Sequence, residues 1–164
     1  MDAGELVPDY VVLGMIKEEL TKGCKGFIFD GFPRTMAQAE GLDKILKDLN
    51  IQITKVINLD VPDSLIVERL EVRRLCQHCG HEYNLKTKPP KIEGKCDICG
   101  HELYRRPDDK PDVIQNRLSV YHEKTRPIEE FYRSRGLLVQ VDGSRGFDEV
   151  TKTIETVIGD NDSV

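Results

Sequence analysis

No stretch of the 164 residues approaches the length of a membrane span, and the acidic first residues are not followed by an apolar run of the secretory kind. Both absences argue against an embedded or exported protein, and the chain is expected to be cytoplasmic. An excess of basic charge is also lacking, since 24 lysines and arginines stand against 29 aspartates and glutamates, a net charge of -5. A general nucleic-acid binder needs a basic surface to displace counterions, so that class is disfavoured, and any anionic ligand must be met by local arginines. There is no low-complexity segment and no internal repeat beyond two short cysteine knuckles that echo each other. A chain of this length can form one domain with a sizeable core that carries a small inserted module.

The knuckles are Cys76-Gln77-His78-Cys79-Gly80 and Cys96-Asp97-Ile98-Cys99-Gly100. Each Cys-x-x-Cys turn can aim two thiolates at a single metal, and the sixteen residues between the knuckles suffice for a small ribbon that joins them. One tetrahedral zinc held by Cys76, Cys79, Cys96 and Cys99 is expected; two disulfides or an unliganded quartet are the alternatives. Four sulfurs leave no open position for water, so the metal would hold a fold together and would not act as a Lewis acid. His78, His81 and His101 lie in or beside the knuckles and could substitute as ligands, but the cysteine set is complete without them and they read as surface residues. The fifth cysteine, Cys24, reads as a buried thiol ahead of an apolar run.

Apolar periodicity predicts a helix capped by Asp9 and ending at Gly23, with Val12, Met15, Ile16 and Leu20 on one face. A short strand, Phe27-Ile28-Phe29, follows. Thr35 opens a second helix with Ala39, Leu42, Ile45, Leu46 and Leu49 inward, and the spacing from Thr35 to Gln38 fits a capping box. Lys55 to Asp60 reads as a strand, and Pro62 starts a third helix that buries Leu65, Ile66 and Leu70. Beyond the cysteines, Pro111 opens a long helical pattern, interrupted at Pro127 and resumed to Gly136. A strand at Leu137 to Val141 and a helix with Phe147, Val150, Ile154 and Val157 precede a polar tail expected to fray. Short apolar strands between amphipathic helices indicate an α/β fold, a parallel sheet flanked by helices.

Ligands of such sheets sit at the carboxyl ends of strands, which singles out the loop Asp30-Gly31-Phe32-Pro33-Arg34. Glycine admits close approach, proline stiffens the turn, and arginine offers a planar fork for phosphate. Asp30 could hold magnesium through water. An ordinary strand-to-helix turn is the competing reading of these five residues. Arg69 and Arg73 share a helix face, and Arg105, Arg106 and Arg117 flank Asp108 and Asp109. An acidic chain that groups arginines in this way is expected to bind a polyanion.

With these residues in view, the sequence resembles the adenylate kinase family, which interconverts ATP plus AMP with two ADP. The resemblance rests on Gly4-Glu5-Leu6-Val7-Pro8-Asp9, on Asp30 to Arg34 with Gln38, and on Arg73-Arg74 leading into a four-cysteine lid. It rests further on Arg106-Pro107-Asp108-Asp109 and Val141-Asp142-Gly143, and it runs to about Ile158. It implies a P-loop kinase-like sheet lacking its first strand, with core at 1–75 including the end of the AMP-binding segment, a zinc-ribbon lid at 76–104, and the C-terminal core at 105–164. Glu5, Leu6 and Val7 would line the AMP pocket, Gly31, Phe32, Pro33 and Arg34 would close on base and phosphate, and Gln38 would read the adenine edge. Arg34, Arg73, Arg106 and Arg117 would meet the phosphates around the transferring group, with Arg106 and Arg117 also on AMP, and Asp108 and Asp109 would orient arginines and lid. Glu82, Tyr83, Arg73 and Arg145 would contact ATP, which carries magnesium. Val72 replaces a frequent glycine before the arginine pair.

The family's glycine-rich phosphate loop, ending in Gly-Lys-Ser/Thr, is absent from this sequence, as are the helices that supply a first arginine to AMP. Met1 coincides with a place where family members often carry an internal methionine, so a truncated or mis-started reading, the C-terminal part of such an enzyme, is expected. The missing strand would leave Val56 to Leu59 paired in parallel with Leu137 to Val141, and Phe27 to Phe29 apart. Partners would be ATP, AMP and ADP, with no nucleic acid and no membrane, in a monomer that is inactive alone. A non-catalytic nucleotide-binding fragment and a zinc-ribbon nucleic-acid binder are the rival readings.

Overall fold

The computed structural model describes residues 6–23 and 26–159, so Gly4, Glu5, Cys24 and the tail expected to fray lie outside the described residues. Two compact units are present: 6–61 with 119–159, and 62–118.

In the first unit, α1 (Asp9–Thr21) begins directly after Pro8. Asp9 is therefore the first helical residue and not the cap. Its carboxylate turns instead to the start of α2 (Met36–Asp48), where Oδ1 accepts hydrogen bonds from Thr35 Oγ1 at 3.0 Å and Gln38 Nε2 at 2.8 Å. Thr35 caps α2 as the sequence predicts, its hydroxyl accepting from the Gln38 N–H at 3.1 Å. The box is only half closed, because Gln38 Oε1 accepts from the N–H of Arg34, at 2.7 Å, where a full box would use that of Thr35. Leu42 and Leu46 of α2 are buried with Leu20 of α1. The helices approach closely at Gly41, where an added Cβ would lie 2.5 Å from Leu13 Cδ1.

β1 (Val56–Asp60) and β5 (Leu138–Asp142) form a parallel pair in register from Val56 with Leu138 to Asp60 with Asp142. The apolar run Phe27-Ile28-Phe29 forms no strand. With no ladder beside it, the run contributes side chains instead: the Phe27 and Phe29 rings, 4.8 Å apart, pack onto the Leu20, Leu42, Leu46 cluster, while Ile28 is 88% exposed. The pairing expected from the resemblance is thus the one found, and the strand expected from the apolar run is not. A second cluster joins Ala39 of α2 to Ile128 and Tyr132 of α5 (Pro127–Arg133), with Val56 and Leu138 against it. Pro127 cannot donate a backbone hydrogen bond, and the chain enters it through a π turn over Tyr121–Thr125, closed by Arg126 N–H on Tyr121 O at 2.9 Å. Gly136, at φ 69°, ends that helical stretch as predicted. α6 (Phe147–Gly159) completes the unit.

The second unit contains α3 (Asp63–Glu71), an antiparallel ribbon and α4 (Pro111–Val120), whose last two residues belong to the first unit. The ribbon has the order β3 (Glu82–Asn84), β2 (Arg73–Cys76), β4 (Leu103–Tyr104). Leu65, Ile66 and Leu70 of α3 are half-buried, short of the buried face expected, because the interior here is built from Cys76, Cys96 and Tyr83. None of the described helices is long and apolar enough to cross a membrane.

Candidate functional site

The two knuckles fold alike. In the first, Gly80 N–H donates to Cys76 O at 3.1 Å and Cys76 N–H to His81 O at 2.9 Å; in the second, Gly100 N–H donates to Cys96 O at 2.8 Å and Cys96 N–H to His101 O at 2.8 Å. Gly80 and Gly100 sit at φ 70° and 73°, a left-handed backbone that favours glycine, so the residue after each Cys-x-x-Cys is what lets the turn close. The turns bring four sulfurs together, with Cys76 to Cys99 at 3.3 Å, Cys79 to Cys96 at 3.6 Å and Cys79 to Cys99 at 3.6 Å. Metal–sulfur bonds of about 2.3 Å in a tetrahedron put neighbouring sulfurs roughly 3.8 Å apart, so the quartet fits one ion after a small expansion. All four are free thiols, and the disulfide alternative is not adopted.

Tyr83 has a place that sequence reasoning missed. It is 2% exposed; its hydroxyl accepts from Asp97 N–H at 2.7 Å and lies at hydrogen-bond distance, 3.5 Å, from Cys96 Sγ. That hydrogen bond, ahead of contributions from the Cys99 and Ile98 N–H groups, draws the Cys96 thiol down to about 6, and the same contact pushes the Tyr83 phenol up to about 12. The side chain expected on ATP is therefore committed to a cysteine. Tyr83 and Cys96 are thirteen residues apart, and only the ribbon brings them together.

Next to the knuckles, the arginines and aspartates form one network. Arg73 grips Asp109 with two bonds, Nε to Oδ2 at 2.9 Å and Nη2 to Oδ1 at 2.6 Å, and Asp109 is fully buried. Arg106 grips Asp108 in the same way, at 2.7 and 2.6 Å. Arg117 Nη1 bridges both carboxylates, at 3.4 Å to Asp108 and 3.3 Å to Asp109, while the Arg105 guanidinium donates to the Asp109 carbonyl oxygen. Burial opposes the charge on Arg73, yet the Asp109 carboxylate outweighs it and holds the guanidinium above its ordinary pKa. Burial likewise raises Asp108, and the Arg106 fork more than offsets it, leaving the carboxyl below its ordinary value. Four guanidiniums around two carboxylates, with Glu82 at 3.7 Å from Arg73, leave net positive charge held in fixed forks, an arrangement suited to phosphate oxygens. Of the residues expected on nucleotide in this unit, all but Tyr83 join this network. Arg69 lies on α3 and Arg73 on β2, so the single helix face expected of the two is not formed, because the helix ends at Glu71.

In the first unit, Leu6, Val7, Thr35 and Met36 line a cleft of about 490 Å³ together with Glu123 and Lys124. The loop that follows Phe29 is shaped around Arg34. Its Nε donates to Gly31 O at 2.6 Å, Gly31 sits at φ 65°, and the Phe32–Pro33 peptide is cis. Asp30 and Arg34 are exposed. Gln38, expected to read a base, is 3% exposed and already spends its oxygen on Arg34 and an amide hydrogen on Asp9. Arg145 lies past β5, paired with Asp142 at 3.1 Å and Glu149 at 3.2 Å.

The sequence model of adenylate kinase matches residues 1–137. The chain belongs to the adenylate kinase family. It is 51% identical to an adenylate kinase of Archaeoglobus fulgidus over 160 residues, 96% of this chain and 74% of that one. An adenylate kinase of Thermodesulfovibrio yellowstonii is 49% identical over 96% of this chain and 74% of its own, and one of Caldicellulosiruptor bescii 47% over 97% and 75%. Family membership makes the chain a nucleoside-monophosphate kinase by descent, and the parallel pair and the four-cysteine ribbon fit the fold of that family.

Proposed function

We propose that the residues of this adenylate kinase family chain serve phosphoryl transfer between ATP and AMP through two separately built half-sites. The observation that carries the reading is the network of Arg73, Arg106 and Arg117 on Asp108 and Asp109: guanidinium planes already oriented by carboxylates lose little freedom when phosphate oxygens arrive. Phosphoryl transfer depends on positioning and charge neutralisation, which is the chemistry such a cluster supplies. On the other unit, Leu6, Val7 and the Gly31 to Arg34 loop would take AMP, with Arg34 on its phosphate; Glu5, which the resemblance adds to this pocket, lies outside the described residues, and Arg106 and Arg117 would bind phosphate oxygens. Gln38 would hold the loop through Arg34 while its remaining amide hydrogen meets the adenine. Glu82 and Arg145 would contact ATP, and any contribution of Tyr83 would come from its backbone. Zinc in Cys76, Cys79, Cys96 and Cys99 would hold the lid at 76–104 in shape; magnesium, arriving with ATP and held through water near Asp30, would neutralise phosphate charge. ATP, AMP and ADP would be the partners of a monomer working in the cytoplasm.

The sequence contains no glycine-rich loop ending in Gly-Lys-Ser/Thr. We infer that the 164-residue chain by itself binds nucleotide without turning it over. Coupled measurement of ADP formation from ATP, magnesium and AMP tests this, with no rate above background expected. Turnover at an ordinary kinase rate, about 1 per second or more, would overturn the inference.

A further inference from the structure

The two knuckles are alike in backbone and unlike in their histidines. His81 and His101 occupy equivalent positions, each following the glycine and each accepting a cysteine N–H through its carbonyl. The His81 ring turns inward, edge-on to Tyr83 at 4.9 Å. The His101 ring turns to the surface and stacks on His78, which stands inside the other knuckle, with centroids 4.2 Å apart and planes 11° from parallel. Ring nitrogens of His78 and His101 and the half-buried Cys99 sulfur lie within 4.8 Å of one another. His101 Nδ1 is 3.0 Å from Cys99 O, a carbonyl that can only accept, so Nδ1 donates there and Nε2 is the nitrogen left to face a metal. A backbone carbonyl on one ring nitrogen is the usual orienting partner of a histidine that binds metal through the other.

From this geometry we propose that the knuckles form a second cation site, on the outer face of the module, in which His78 and His101 hold a borderline divalent ion beside Cys99. Imidazole with a thiolate edge is a donor set that suits zinc, nickel or copper over magnesium or calcium. Four thiolates around one divalent ion keep net negative charge, which favours a second cation at the one sulfur that two imidazoles flank. Parallel stacked rings aim their lone pairs in parallel planes, so binding one ion requires the two exposed rings to turn out of the stack and the ligand atoms to close by about 1 Å to the spacing of a tetrahedral site. The charge argument rests on zinc in the cysteine quartet, and the test counts the two ions separately.

Protein prepared with one zinc per chain is titrated calorimetrically with further zinc, beside the double variant His78→Ala, His101→Ala and the control His122→Ala. The wild type and the control are expected to take up a second equivalent, and the double variant to keep the first and bind the second no less than about tenfold more weakly, the loss that disturbing even an orienting partner brings. X-ray absorption at the zinc edge should show only sulfur at one equivalent and added nitrogen at two. Imidazole resonances of His78 and His101, and not those of His81 and His122, should shift with the second ion. Equal uptake of the second equivalent by wild type and double variant would overturn the site. So would loss of the first ion in the double variant, which would make the histidines ligands of the quartet's own metal. Failure of the first equivalent to bind in the wild type would refute the zinc reading itself, and the second site with it.

Discussion

Asp109 is fully buried, and its carboxylate is the point on which two guanidiniums meet, so Asp109→Asn tests the arginine network with little change of volume. The amide removes the charge and sets an NH₂ group against the donors of Arg73, which is itself only 15% exposed. Two forked bonds at 2.9 and 2.6 Å and the 3.3 Å contact to Arg117 are weakened together, while the Arg105 contact, which uses the backbone carbonyl, survives. Breaking a buried pair by altering one member costs about 3 to 5 kcal/mol, largely because the other charge stays behind. That is a large share of the 5 to 15 kcal/mol typical of a whole domain, so the ribbon amides should lose hydrogen-exchange protection before those of β1 and β5. Urea unfolding of zinc-loaded protein, followed by far-UV circular dichroism with exchange at residues 73–84, gives the magnitude. Repeating Asp109→Asn in an Arg73→Met background should shrink its cost, since the charge that needed a partner is gone. A cost below about 1 kcal/mol in the native background, or the same cost in both, would refute the claim that Asp109 holds Arg73 in place.

Tyr83→Phe removes the hydroxyl from Cys96 and leaves the Asp97 N–H without its acceptor; zinc affinity measured against a chelator should fall by about 10- to 100-fold with the fold retained. Thr35→Ala should cost about 1 kcal/mol of urea stability, the worth of a cap, because the hydroxyl also ties α2 to Asp9. Asp142 is held below the ordinary carboxylate pKa first by the Ser144 hydroxyl and N–H and then by Arg145. Its stabilising effect is therefore present above the ordinary value and is lost as pH falls through the lowered one. Carboxyl-carbon NMR should place its midpoint below 3.8 and find it moving up in Ser144→Ala.

Periodicity located most of the helices, because their buried faces are continuous in sequence: Ala39, Leu42 and Leu46 are spaced as one helical stripe and are buried as one. The knuckles were legible for a similar reason, each being closed by its own glycine. What local pattern could not show was whether a neighbour exists. Phe27-Ile28-Phe29 has the composition of a strand, but a strand also needs a partner, and only the resemblance to a family with another strand in that place anticipated its isolation. Long-range hydrogen bonds were invisible for the same reason. Asp9 looked like a cap and serves Thr35 and Gln38 across 26 and 29 residues, and Tyr83 looked like a ligand contact and serves Cys96.

The central claim is that these residues still form a place for AMP, and calorimetric titration of the zinc-loaded chain with AMP, beside Arg34→Ala, addresses it most directly. Charge-assisted contacts to a phosphate are worth about 1.5 to 3 kcal/mol, so the account predicts saturable binding that Arg34→Ala weakens by roughly 10- to 100-fold while the urea midpoint falls only slightly, through loss of the exposed bond to Gly31 O. No binding heat, or binding that Arg34→Ala leaves as it was, would contradict it.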